Sequence, residues 1–199
     1  MAVSFHTWAE QNLTIDDREC YTLNDCIQYG AYWRKLYQSS WPQSVETLSR
    51  FVNMTHIFWD FHGVLLPLRG LPERTWLNED EYLKLFFRSK TNPMEFRDPP
   101  VSIRYLSEAL ESETQYVLSM VTSNLEFDAE KEVIAKYYPM IPEDHIIGVS
   151  KADYKVLVMQ ELVPAGNEKR AVLVDDTIGT LKQVEDAGFW AYHTSYVMN

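Results

Sequence analysis

The chain has 199 residues, 46% hydrophobic and 24% charged, with 14% aromatic and a formal net charge of −11. That length suits one domain with a small accessory lobe and is enough to bury a sizeable core. The acidic balance argues against broad, sequence-independent nucleic-acid binding, which needs a basic surface to displace counterions.

Two cysteines, Cys20 and Cys26, are not spaced as CxxC and have no second Cys/His pair nearby, so neither a zinc site nor a disulfide framework is expected. No run approaches the ~20 apolar residues that span a bilayer. Residues 1–17 lack the basic and then apolar regions of a signal peptide. The expectation is a soluble, cytoplasmic protein with no membrane partner, in which the sequons at Asn12 and Asn53 are chance.

Residues 1–55 read as a helical extension. Asn24 offers an N-cap, and Tyr29, Tyr32, Trp33, Leu36 and Tyr37 recur at helical spacing. A second helix carries Val45, Leu48 and Val52 on one face, with Ser44 as its cap after the break at Pro42. The aromatic stripe is expected to pack against the main domain.

From residue 56 the pattern changes to short apolar runs alternating with amphipathic segments. The first run, 56–59, ends in Asp60. Leu66 to Pro100 then supplies a flap near 67–72 and one helix near 79–88, with Leu83, Phe86 and Phe87 on a face. Ile103, Leu106 and Leu110 mark a helix, and 116–121 a strand. Ala129, Val133 and Tyr137 mark the next helix, with Pro139 and Pro142 beyond its end. A short strand at 145–149 precedes a helix marked by Tyr154, Leu157, Val158 and Leu162. Residues 171–174 form a strand. Ile178, Leu181 and Glu185 start a helix that Gly188 terminates, and 189–193 is the last strand. This alternation predicts an α/β fold, a Rossmann-like parallel sheet with helices on both faces, in a core domain over 56–199.

Such sheets bind ligands beyond the carboxyl ends of their strands. The residues there form a coherent chemical set: Asp60; Thr122, Ser123 and Asn124; Ser150 and Lys151; Asp175 and Asp176. Carboxylates suit a hard divalent cation such as Mg²⁺. A hydroxyl and a lysine suit a phosphoryl group facing a nucleophilic carboxylate.

In this order, the four strand ends resemble the haloacid dehalogenase (HAD) superfamily of phosphohydrolases, over roughly residues 56–195. Asp60-Phe61-His62-Gly63-Val64-Leu65 resembles the nucleophile loop DxDGxL, with His62 where the family has its second aspartate. Val121-Thr122-Ser123-Asn124 resembles the second motif, Lys151 the lysine of the third, and Val174-Asp175-Asp176 the acidic fourth.

The resemblance implies a HAD-like core with a minimal cap and a Mg²⁺-dependent phosphatase. Asp60 would be nucleophile and metal ligand, the His62 carbonyl a second ligand, and Asp176 a direct ligand with Asp175 close behind. Thr122 would contact the phosphoryl oxygens, with Ser123, Asn124 and Gly63 lining the substrate side. Lys151 is preferred as the phosphate-contacting lysine because it ends a strand; Lys155, one helical turn on, is the alternative.

In the family, the aspartate that His62 replaces protonates the leaving oxygen and then activates water. Imidazole can shuttle protons, so His62 is read as the atypical acid and base. Slow phosphoenzyme hydrolysis, phosphotransfer, and a retired site that only binds metal or phosphate are the alternatives. The segment 66–104 holds seven Lys/Arg against six Asp/Glu, and Arg69 and Arg74 are available to an anionic substrate. The expected substrate is a phosphorylated small molecule, although an open crevice also admits a macromolecular ester.

Overall fold

A computed structural model describes residues 45–66 and 99–194, with isolated positions at 11, 84, 87, 88, 92, 94 and 197. The expected helix bearing Tyr29 to Tyr37, the caps at Asn24 and Ser44, the flap near 67–72, and Arg69 and Arg74 lie outside these residues.

Five strands form one all-parallel sheet: β1 (His56–Trp59), β2 (Gln115–Met120), β3 (Ile146–Val149), β4 (Ala171–Asp175) and β5 (Trp190–His193). Their spatial order is β3-β2-β1-β4-β5. The helices are α1 (Val45–Phe51), α2 (Val101–Ala109), α3 (Asn124–Tyr137), α4 (Tyr154–Leu162) and α5 (Ile178–Asp186).

Each central strand alternates between two cores, as a pleated strand buried on both faces must. Ile57, Trp59, Val117, Val172 and Val174 face one core, shared with Leu48 and Phe51 of α1, Ile103 and Leu106 of α2, and Val133 and Ile134 of α3. Phe58, Leu118, Ala171 and Leu173 face the other, with Met159 of α4 and Val184 of α5. The expected α/β architecture is therefore present, and α1 is built into the first core.

Along the described residues, strand positions follow the sequence reading to within one residue. Helix faces follow it less well. In α4 the marked residues Tyr154 and Leu157 are exposed, and Lys155 and Met159 are buried instead. Ile178 of α5 and Phe87 of the expected 79–88 helix are also exposed. Gly188 ends α5 as expected, at φ 95° with its N–H on the Glu185 carbonyl.

Chain order sets the location of the crevice. From β1 the chain crosses to β2 and β3 on one side and then returns to β4 and β5 on the other. The carboxyl ends of β1 and β4 thus flank the topological switch point, the usual ligand position in open α/β sheets.

Candidate active site

Asp60 follows β1 and continues its pairing, its N–H donating to the Val174 carbonyl at 2.9 Å. The chain then turns sharply. Leu65 N–H reaches the Asp60 carbonyl at 3.3 Å, Leu66 N–H reaches that of Phe61 at 2.9 Å, and Gly63 N–H reaches that of Leu66 at 2.8 Å. Phe61, Val64, Leu65 and Leu66 are fully buried and anchor the turn. The Tyr138 hydroxyl donates to the Leu65 carbonyl at 2.9 Å, tying the turn to the end of α3.

Gly63 has φ +76°, and a Cβ there would collide with the Asp176 carboxylate. Glycine therefore serves both the left-handed turn and the close approach of Asp176. Gly63→Ala is expected to destabilise the protein by about 1–3 kcal/mol through strain alone, and to weaken any ion held by Asp176. Urea unfolding and a Mg²⁺ titration check this; a variant equal to wild type in both would show that the approach is unimportant.

The third strand end does not deliver its predicted residue. Lys151 is exposed, its ammonium 5.8 Å from the Tyr154 ring. Lys155 occupies the crevice, with its ammonium 2.8 Å from Asp60 Oδ1 and 2.7 Å from Asp175 Oδ2. Only 3% of its side chain is exposed. The physical reason is helix phase: α4 begins at Tyr154 and turns Lys155 and Met159, four apart, toward the sheet.

Asp175 also accepts the Thr177 N–H on Oδ1 at 2.7 Å, and Asp176 accepts the Thr177 hydroxyl at 3.2 Å. Carboxylate oxygens of Asp60, Asp175 and Asp176 lie within 4.8 Å of one another. Three carboxylates around one ammonium leave a surplus of two negative charges when all are ionised. The surplus is felt. Burial, with the Asp175 charge, pushes the Asp60 carboxyl up to about 6 against the pull of Lys155. Burial and Asp175 likewise raise Asp176. Burial works to lower the Lys155 pKa, but Asp60 and Asp175 outweigh it and hold the ammonium above the ordinary lysine value. An oxygen-only donor set carrying two surplus charges fits Mg²⁺.

The hydroxyl end is arranged differently from expectation. Ser123 caps α3, its Oγ accepting Glu126 N–H at 3.2 Å, and Asn124 is the exposed first residue of the helix. Thr122 donates both its N–H and its hydroxyl to Glu126 Oε2, each at 2.7 Å. The hydroxyl expected to face a phosphoryl group thus faces a carboxylate of the protein itself.

His62 leans the same way. Its Nε2 lies 3.2 Å from Glu126 Oε1 and 3.0 Å from Glu130 Oε1, and both glutamate side chains are completely buried. Glu126 and Glu130 are not among the sequence candidates. A signal exists: Ser123-x-x-Glu126 is a capping-box spacing, and both glutamates fall three residues before the apolar markers Ala129 and Val133.

Among the described residues, no helix is long and apolar enough to cross a membrane. Compared with protein-family models, curated proteins and solved structures, the chain matches none of them.

Proposed function

We propose that the protein is a HAD-like, Mg²⁺-dependent phosphohydrolase that cleaves a phosphate ester through an aspartyl-phosphate on Asp60. One observation carries this reading. A buried ammonium, Lys155, bridges Asp60 and Asp175 at the switch point, with Asp176 beside them. A nucleophilic carboxylate facing an anionic phosphoryl group needs such a cation to screen repulsion and to offset charge in the transition state.

Asp60 Oδ1 is committed to Lys155 and to the Phe61 N–H at 2.9 Å, so Oδ2 is the attacking oxygen. The Oδ2–phosphorus bond forms as the ester P–O bond breaks, and the leaving oxygen takes a proton from His62. Glu126 holds Nε2 of that ring, which assigns the transferred proton to Nδ1. Water then attacks phosphorus, His62 takes up a proton, and the Asp60 carboxylate is regenerated with inorganic phosphate. Mg²⁺ bound by Asp60, the His62 carbonyl, Asp175 and Asp176 would neutralise charge on the phosphoryl oxygens.

A second reading has its own observation. Glu126 takes both Thr122 donors and sets a negative charge where a phosphoryl oxygen would be received. This favours a binding or regulatory protein whose chemistry is impaired.

A screen of phosphate esters in Mg²⁺ separates the two. The expected result is wild-type turnover that Asp60→Asn abolishes and His62→Gln lowers by ~10²–10⁴. Absence of wild-type turnover, with activity appearing in Glu126→Gln, would sink the enzymatic reading and support the second.

A further inference from the structure

We propose that His62, Glu126 and Glu130 form a second cation site, separate from the aspartate cluster, which takes a transition-series divalent ion, Zn²⁺ in the first instance. The three ligand atoms lie within 4.8 Å of one another. They come from two rigid pieces of the fold: the anchored turn after β1, and one face of α3.

Glu126 and Glu130 are four apart on that helix, so their side chains are neighbours, and two like charges there repel. The repulsion is not relieved by solvent, because both side chains are completely buried. A divalent cation between the two carboxylates and the imidazole would relieve that repulsion.

Hydrogen bonding leaves a gap at Glu130. Nε2 can carry one proton, and a single N–H cannot serve two carboxylates equally. It makes a hydrogen bond to Glu126 Oε1 at 3.2 Å. Glu130 Oε1 lies closer, at 3.0 Å, and also accepts the Ser119 hydroxyl at 3.1 Å. Glu130 Oε2 is buried and makes no hydrogen bond among the described residues. An orphaned carboxylate oxygen in a buried site is costly, and native structures rarely keep one without an ion or water.

The donor spacing suits a small ion. Ligands about 2.1 Å from a metal lie about 3.0–3.4 Å apart in octahedral or tetrahedral geometry, close to the 3.0 and 3.2 Å from Nε2 to the two glutamates. One imidazole nitrogen with two carboxylates selects Zn²⁺ over Mg²⁺, which prefers oxygen alone. The outer partners are in place too. Thr122 orients Glu126 through two donors, and Ser119 orients Glu130, as hydrogen bonds to ligating carboxylates do in metal sites. The inference does not depend on the phosphohydrolase reading.

The test uses full-length, chelator-treated protein titrated with Zn²⁺ in excess Mg²⁺, so that Mg²⁺ occupies the aspartate cluster. Wild type is expected to bind one Zn²⁺. His62→Gln and Glu130→Gln should weaken that binding by more than roughly 100-fold, and Ser119→Ala by ~10–100-fold. Asp176→Asn should leave it intact. The ring ¹⁵N resonances of His62 supply a readout that needs no variant: one equivalent of Zn²⁺ should shift Nε2 far more than Nδ1. No Zn²⁺ bound, Zn²⁺ bound equally by His62→Gln and Glu130→Gln, or a His62 ring unmoved by Zn²⁺ would each overturn the proposal. Zn²⁺ binding without ester turnover would sustain it and count against the phosphohydrolase.

Discussion

Lys155→Met should cost the protein more stability than any other single change in the crevice, about 3–5 kcal/mol at neutral pH. Removing one member of a buried ion cluster leaves the others uncompensated. Asp60 and Asp175 would face each other and Asp176 without the ammonium that bridges them at 2.8 and 2.7 Å. For a domain of this size the loss corresponds to a melting temperature lower by roughly 6–20 °C. Lys155→Arg should rescue little, because a planar guanidinium does not reproduce a point charge held between two carboxylates in a closed space. The exposed Lys151 is the control: Lys151→Met should stay within about ±0.5 kcal/mol of wild type. The defect should also shrink as pH falls, since carboxylates freed of their counter-charge protonate readily and a neutral pair no longer repels. Guanidinium unfolding of the three variants at two pH values checks all of this. If Lys151→Met and Lys155→Met unfold alike, the bridging role is wrong.

The two lysines illustrate what a sequence can and cannot reveal. The strands are legible because each is a short apolar run ended by a polar group; β1 closing at Trp59 before Asp60 is the clearest case. Strand order is not legible, since nothing local places β1 between β2 and β4. The phase of α4 is hidden for a definite reason. Val156, Leu157 and Val158 are consecutive apolar residues, so this helix has no clean polar stripe and its periodicity does not identify the buried side. The buried side then carries a lysine, a residue that is almost never inside unless paired. Its partners are 95 residues before it and 20 after it in the chain, and only the fold brings them together. Glu126 and Glu130 escape notice for a related reason: charged residues on a helix normally mark its solvent face, and here they mark the face turned to His62.

The same surplus of charge that suits the crevice to a cation should make it a weak point in the protein without one, and Asp60→Asn tests that. An acid whose folded-state pKa is raised binds its proton more tightly when folded. Stability therefore falls as pH climbs from the ordinary aspartate value of 3.8 to about 6, and stays low above that. A rise of that size corresponds to about 3 kcal/mol at neutral pH. Asparagine keeps a carbonyl oxygen for Lys155 and for the Phe61 N–H but carries no charge to desolvate. Without Mg²⁺ the variant should be more stable than wild type by ~1–3 kcal/mol at neutral pH. Its stability should also lose the part of the decline between pH 3.8 and about 6 that belongs to residue 60, while Asp176 keeps its own share. Added Mg²⁺ should reverse the comparison, since an ion at a hundred times its dissociation constant adds ~2.7 kcal/mol to the protein that binds it, and a neutral amide is a poorer ligand than the carboxylate it replaces. Thermal melts of both proteins across this pH range, with and without Mg²⁺, supply the measurement. A variant less stable than wild type in the absence of Mg²⁺ would mean that Lys155 already satisfies Asp60, and that the crevice has no surplus charge for a metal to neutralise.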